Sequence, residues 1–222
     1  CEKGKAVGVG LAEGGREIVL RAGREIILCG GTVNSPQLLM LSGIGPAAHL
    51  ATHGIPVVAD SPGVGGNLQD HLLVRVMHAT PSTDTIDGLR RVDRALFAGL
   101  QAWISGTGPA SHFPIDVGAI FRSDPALELP DVQASFMPGL SSATLRLPFV
   151  GMAKTPDLGQ GFFANIFQMR PSSRGEIRLA SADPLQAPLI RPNYLSAMPD
   201  RIVLREGVRR LREIFAAQAF DR

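Results

Sequence analysis

The residues with most chemical promise lie in one run, "CGGTVNSPQLLMLSGIG", Cys29 to Gly45 of a 222-residue chain. Ile26, Ile27 and Leu28 precede it and join Cys29 in an apolar run without alternation, the pattern of a strand covered on both faces. Gly30 and Gly31 let the backbone turn sharply and approach whatever lies above the strand end. Ser35 suits an N-cap, Pro36 the first helical position and Gly43 a C′ stop, so the pattern predicts a helix over Gln37–Ser42 with free N–H groups at its start. In open α/β sheets ligands bind beyond the carboxyl ends of strands, and a helix start there favours an anion or the polar edge of a cofactor. An ordinary strand-to-helix connection without a ligand has the same local features.

Other chemistry is sparse. "GVGLAEG", from Gly8, has its third glycine one place late for GxGxxG, and no P-loop, GxSxG elbow, HExxH or paired CxxC occurs. Of the histidines, His49 and His53 stand at i, i+4 but lack a nearby carboxylate or third ligand, so they read as a helix face and no metal is expected.

The elements that must position these residues fall into two textures. "AVGVGL" and "EIVLRAG" read as a hairpin across Gly14 and Gly15, leading into a strand at Glu25–Cys29. A short helix over Ala47–Thr52, closed by Gly54, and a strand at Ile55–Ala59 follow the helix after Pro36. The turn-rich loop "DSPGVGGNLQDH" ends at His71. Beyond it, "LLVRVMHAT", "VGAIFRS", "DVQASFMPG", "GFFANIFQMR" and "GEIRLAS" are strand-length segments broken by Pro, Gly and Ser and by one amphipathic helix, Arg91–Ile104. That order predicts an antiparallel sheet, with a boundary near His71. A last helix is expected from Pro199 to Ala219.

At 45% hydrophobic and 19% charged, the chain can bury the core of one large or two modest domains. A net charge of +2 with scattered Lys and Arg shows no nucleic-acid stripe or polybasic anchor; Arg205, Arg209, Arg210 and Arg212 cluster at helical spacing and read as a solvated face. No run of 18 apolar residues suggests a transmembrane span. Cys1 and Cys29 make no disulfide framework, and Cys29 reads as a small buried residue. A reducing, cytoplasmic compartment is expected, with association to a membrane left open. A first residue that is not Met, and an end directly after a helix, suggest a piece of a longer protein.

One resemblance stands above this background. "GTVNSPQLLMLSGIG", Gly31–Gly45, resembles the second signature of the glucose–methanol–choline (GMC) oxidoreductases, which are FAD-dependent alcohol oxidases and dehydrogenases. It extends through "GVGGNLQDH", where the family more often has Glu in place of Gly66, and through "GTGPAS", "PDVQASFMPG" and "RPSSRGEIRLASADPLQAPLIRPNYLS". It covers almost the whole chain and is most similar to the choline dehydrogenase-like branch.

The resemblance implies an α+β fold: part of an FAD-binding α/β domain over 1–70, an antiparallel-sheet substrate domain over 71–180, and a connection and helix over 181–222 leading back towards the FAD domain. It implies FAD as cofactor and a small-molecule alcohol as partner, with no nucleic acid and an unnamed electron acceptor. The implied reaction converts a primary, choline-like alcohol to an aldehyde by hydride transfer to flavin. Similar proteins carry an N-terminal GxGxxG and a C-terminal catalytic His; neither is in this sequence, so no catalytic residue is nominated and the piece alone is expected to be inactive. By the resemblance, Cys29, Gly30 and Gly31 line the adenine and ribose end of FAD, while Asn34 and Ser35 either cap the helix or touch FAD. Asn67, Gln69, Asp70 and His71 brace a loop or order the flavin side of the cleft. Because the sheet roofs the flavin in such enzymes, His112, Phe113, Phe163 and Asn165 are the candidates for the substrate wall, although alternation along a strand turns half of such residues away. A competing reading is a non-catalytic binding module that uses the antiparallel sheet as an interaction surface.

Overall fold

The computed structural model describes residues 2, 4–82, 85–112, 115, 117–140 and 159–220. In chain order the elements are β1 (Gly8–Glu13), β2 (Arg16–Arg21), α1 (Gly31–Leu41), β3 (Ile44–Gly45), α2 (Ala47–Thr52), β4 (Ala59–Asp60) and β5 (Leu73–Ala79). They continue with α3 (Val92–Ser105), β6 (Val117–Phe121), β7 (Val132–Met137), β8 (Gly161–Gln168), β9 (Glu176–Arg178), β10 (Leu189–Arg191) and α4 (Met198–Phe215). The chain divides into two compact units: Cys1–Asp70 with Ser173–Ser196, and His71–Ser172 with Ala197–Arg222. The segment read from sequence as one connection over 181–222 is therefore split, its first part with one unit and its helix with the other.

In the first unit, β1 and β2 form the hairpin that the glycines signal. Gly14 and Gly15 both have positive φ, 57° and 76°, as a two-residue I′ turn demands, and Glu13 pairs with Arg16 beside it. The predicted strand at Glu25–Cys29 is absent. The segment has no sheet partner among the described residues, Ile27 is 74% exposed, and Cys29 is exposed rather than buried. Apolar character alone does not make a strand; its N–H and C=O groups need a neighbour to pair with.

α1 also departs from the pattern. It begins at Gly31, with Gly30 at the N-cap and no side-chain cap, so Ser35 and Pro36 lie inside the helix. Pro36 has no N–H to offer the Thr32 carbonyl. The face made by Val33, Gln37, Met40 and Leu41 explains the longer helix. Met40 is fully buried with Leu50, Ile177 and Leu179, Val33 and Leu41 pack against that cluster, and Gln37 Nε2 donates to Gln186 O at 2.9 Å. Tertiary burial along this stripe outweighs the local capping signal.

α2 has its predicted bounds, and Gly54 follows it with φ +68°. Asp60 Oδ1 accepts from Ala47 N at 2.9 Å, satisfying an N–H at the helix start. The predicted strand at Ile55–Ala59 is shorter and later: β4 pairs in parallel with β3, Ala59 opposite Ile44. β9 and β10 form an antiparallel pair that brings Ile177 beneath Met40 and Leu50.

The second unit is a four-stranded antiparallel sheet in the order β5-β8-β7-β6. β8 is central, and its residues are buried on both faces apart from Phe167. α4 packs across one face, where Leu204, Leu211 and Phe215 meet Val132, Ala134, Phe162, Ala164 and Ile166. The Phe162 and Phe215 rings stand edge to face at 4.9 Å. Gly207 lets the helix lie close: a Cβ there would stand 3.0 Å from Ile166 Cγ2. Asp200, fully buried, accepts from Gln168 Nε2 at 2.7 Å and from Ser172 N at 2.8 Å. A 3₁₀ turn at Ile86–Arg90 is pinned to the sheet ends through Asp87, whose carboxylate accepts from Leu140 N and Gly161 N.

Candidate functional site

Cys29, Gly30 and Gly31 lead directly into α1. Gly30 is dictated by packing within the turn, since a Cβ there would lie 3.0 Å from Asn34 Cβ and from Ser35 N. Gly31 differs. Its φ is +69°, and a Cβ built on it meets no heavy atom within 4 Å, so the space beside it is open. The first-turn N–H groups of α1 have no intrahelical partner and no side-chain cap, and the first turn holds no acidic residue. Asn34 is exposed and Ser35 half-buried, both within the helix rather than capping it. Small residues, open space and uncapped N–H groups are what a polar cofactor edge requires, so these residues fit the dinucleotide that the sequence suggests.

The loop before His71 is braced within each unit. Asn67, at φ +57°, accepts from Arg174 Nε at 2.9 Å, and Asn193 Nδ2 donates to Arg174 O at 3.0 Å. The Tyr194 hydroxyl donates to Asp70, and this bond, with some burial, raises the Tyr194 pKa. His71 Nε2 stands 3.1 Å from Met169 O. His49 Nε2 accepts from Leu179 N at 3.0 Å, so the ring is neutral at that nitrogen; burial first, then the His53 and Arg178 charges, lowers its pKa. Among the described residues no group of three or more His, Cys, Asp or Glu could hold a metal ion.

In the second unit the sheet face opposite α4 carries the polar chemistry. Phe163 and Asn165 are two apart on β8 and share that face, both buried. Arg75, directly across on β5, joins them: its Nε donates to Asn165 Oδ1 at 2.9 Å, and its guanidinium carbon lies 3.9 Å from the Phe163 ring centroid. Sequence reasoning missed Arg75. The available signal was a charge between two valines in "LVRVMHA", on the face that alternation sets against theirs. His112 lies off the sheet in the loop after α3, with Nδ1 3.2 Å from Ser111 Oγ. Phe113 lies outside the described residues.

An α/β unit with an open, uncapped helix start and a separate antiparallel sheet with one helix-covered face make up a two-part architecture. A solved formate oxidase has it, with a TM-score of 0.85 at 28% identity, over 98% of this chain and 42% of that one. A pyridoxine 4-oxidase from Mesorbium loti shares the fold, with a TM-score of 0.74 at 24% identity, over 98% of this chain and 37% of that one. Residues 1–73 and 171–222 match the N- and C-terminal family models described as GMC oxidoreductase, and the chain belongs to that family, whose cofactor is FAD. It is 40% identical over 220 residues to an oxygen-dependent choline dehydrogenase of Brucella ovis, covering 98% of this chain and 38% of that protein. It is 38% identical to the mitochondrial choline dehydrogenase of Homo sapiens, covering 97% of this chain and 35% of that protein. The chain thus spans little more than a third of the length of these curated relatives. No helix among the described residues is long and apolar enough to cross a membrane.

Proposed function

We propose that this chain is part of a longer FAD-dependent oxidoreductase that converts primary alcohols to aldehydes, choline-like alcohols being the class the relatives' names suggest. The observation that carries this reading is the 40% identity, over 98% of the chain, to an enzyme named for choline. The open space at Gly31 and the uncapped start of α1 support it. The chemistry supplied by bound FAD is that of a two-electron acceptor, which takes a hydride while the alcohol's hydroxyl proton leaves to a base. The chain's own contribution is binding and orientation. Cys29, Gly30 and Gly31 offer a small-residue turn to the adenine and ribose end, Asn34 and Ser35 stand one turn further along the helix, and the first N–H groups of α1 point at the polar edge.

Phe163 and Asn165 belong in this reading to the wall that excludes water from the substrate, with His112 and Phe113 as further candidates along the same sheet domain. A reducing, cytoplasmic setting suits the exposed, unpaired Cys29. The relatives' names leave the charge of the substrate open, since choline is a cation and formate an anion.

The test uses the full-length protein that contains this chain, reconstituted with FAD and mixed anaerobically with choline and with neutral primary alcohols. Bleaching of the flavin with release of the aldehyde is expected. A flavin that stays oxidised with every alcohol overturns the assignment.

A further inference from the structure

In an antiparallel pair, alternate residues turn their backbone groups towards the partner strand and away from it. On the side of β9 away from β10, Ile177 N donates to Gly65 O at 2.6 Å and Leu179 N donates to His49 Nε2 at 3.0 Å. The first acceptor is a carbonyl, which holds no proton at any working pH. The second is a ring that titrates, and it serves the N–H of a residue only 2% exposed. A bond accepted at Nε2 leaves the proton of the neutral ring on Nδ1.

The surroundings disfavour the imidazolium. His53, at the C-cap of α2, stands edge-on to His49 with ring centroids 4.9 Å apart. Arg178 of β9 and Arg191 of β10 add positive charge. Glu176 acts in the other direction, but its carboxylate is shared between those same two arginines, at 3.0 Å from Arg178 Nε and 3.0 Å from Arg191 Nη1. Once protonated, Nε2 has no lone pair for Leu179, and two N–H groups face one another. The contact also lies where its loss is felt. Leu179 completes the cluster of Met40, Leu50 and Ile177, Leu50 is the residue next to His49, and Val33, two residues after Gly31, packs against the same cluster.

We propose that His49 is an acid-sensitive latch between α2 and β9: protonation of Nε2 breaks its bond to the Leu179 N–H, frees β9 from α2 and loosens the start of α1, so that the protein releases FAD as its surroundings acidify. The latch is built from residues of the first unit alone; its effect on FAD rests on reading Gly31 and the start of α1 as cofactor contacts. Burial and the neighbouring cations favour the neutral ring in the closed form, so the latch is complete above the ordinary pKa of 6.5 and is lost as pH falls through that value towards the lower pKa of the closed form. By linkage, bound FAD holds His49 neutral.

The experiment uses the full-length protein. Hydrogen exchange, read by mass spectrometry on the peptide carrying Leu179 and corrected for intrinsic rates, should show protection falling about tenfold between about pH 7.5 and 5.5, and the FAD dissociation constant should rise about tenfold over the same range. His49→Gln keeps an acceptor oxygen within reach of Leu179 N and does not titrate, so both changes should shrink to less than about twofold. Protection that is constant with pH in the native protein, or that falls equally in the Gln variant, overturns the proposal. An FAD affinity that ignores pH while protection falls overturns the link to the cofactor. If the protein binds no FAD at any pH, the cofactor reading fails, and exchange at Leu179 still decides the latch. If the Gln variant does not fold, His53→Asn decides it: with one cation fewer beside the ring, the loss of protection should move to higher pH, and an unmoved profile counts against the latch.

Discussion

At Gly31 the strain and space costs of a side chain can be separated. The residue opens α1 at φ +69°, and nothing in the protein lies within 4 Å of a Cβ placed there. An L residue held in this left-handed region costs about 1–2 kcal/mol, most for β-branched residues and least for Asn or Asp. Any further effect on flavin must come from what occupies the open space. Gly31→Val should therefore destabilise the full-length enzyme by about 2 kcal/mol, and Gly31→Asn by less than about 1 kcal/mol. Both should weaken FAD retention, with about a tenfold higher dissociation constant, equivalent to about 1.4 kcal/mol. The assay pairs urea unfolding of the flavin-free protein with back-titration of FAD, read as flavin absorbance against protein absorbance. If the Asn variant binds FAD with native affinity while Val alone loses it, strain is the cause and Gly31 is not at the cofactor.

Three further outcomes are expected. Asp87→Asn should cost about 2–3 kcal/mol, because the carboxylate accepts from Leu140 N at 3.0 Å and Gly161 N at 3.2 Å beside Arg90 at 3.5 Å, and an amide offers one acceptor oxygen; chemical denaturation measures it, and a change under half a kcal/mol would contradict the pin. His49 has its folded-state pKa lowered from 6.5 by burial, then by His53 and Arg178, so the unfolded chain protonates first. Stability complete above that value should be lost as pH falls through 6.5 towards the folded pKa, and His49→Gln should flatten the difference between unfolding midpoints at about pH 7.5 and 5.5. In a Cys1→Ser background, a thiol reagent should label exposed Cys29 about tenfold more slowly once FAD is bound; equal rates would remove Cys29 from the cofactor site.

What could be read from the chain depended on whether the governing interaction was local. The I′ turn at Gly14–Gly15 and α2 with its glycine stop are set by nearby residues and stand where the pattern puts them; of the strand-length segments after His71, four form the antiparallel sheet, whereas "GEIRLAS" pairs with β10 in the other unit. The start of α1 departs from the pattern, because the burial of Val33, Gln37 and Met40 against residues more than a hundred positions away overrides the Ser35–Pro36 signal. Glu25–Cys29 fails as a strand for a related reason: pairing is a property of two segments, and apolar composition names only one. For the candidate site, the glycine turn was legible as small residues before a helix, whereas Arg75 was not, since its meaning depends on Asn165 and Phe163 across a strand pair.

The division of the chain into units has a consequence for how it is made. The polypeptide passes from one unit to the other three times, after Asp70, Ser172 and Ser196. Met40 and Leu50 leave the ribosome long before Ile177 and Leu179, the residues that complete their cluster. Until then the apolar stripe of α1 lacks the two residues that complete its cluster. Closing such a distant contact is slow and leaves apolar surface uncovered in the meantime. Residues 31–55 of a nascent chain should stay open to protease or chaperone until the β9–β10 pair has emerged, and become protected together with it rather than before.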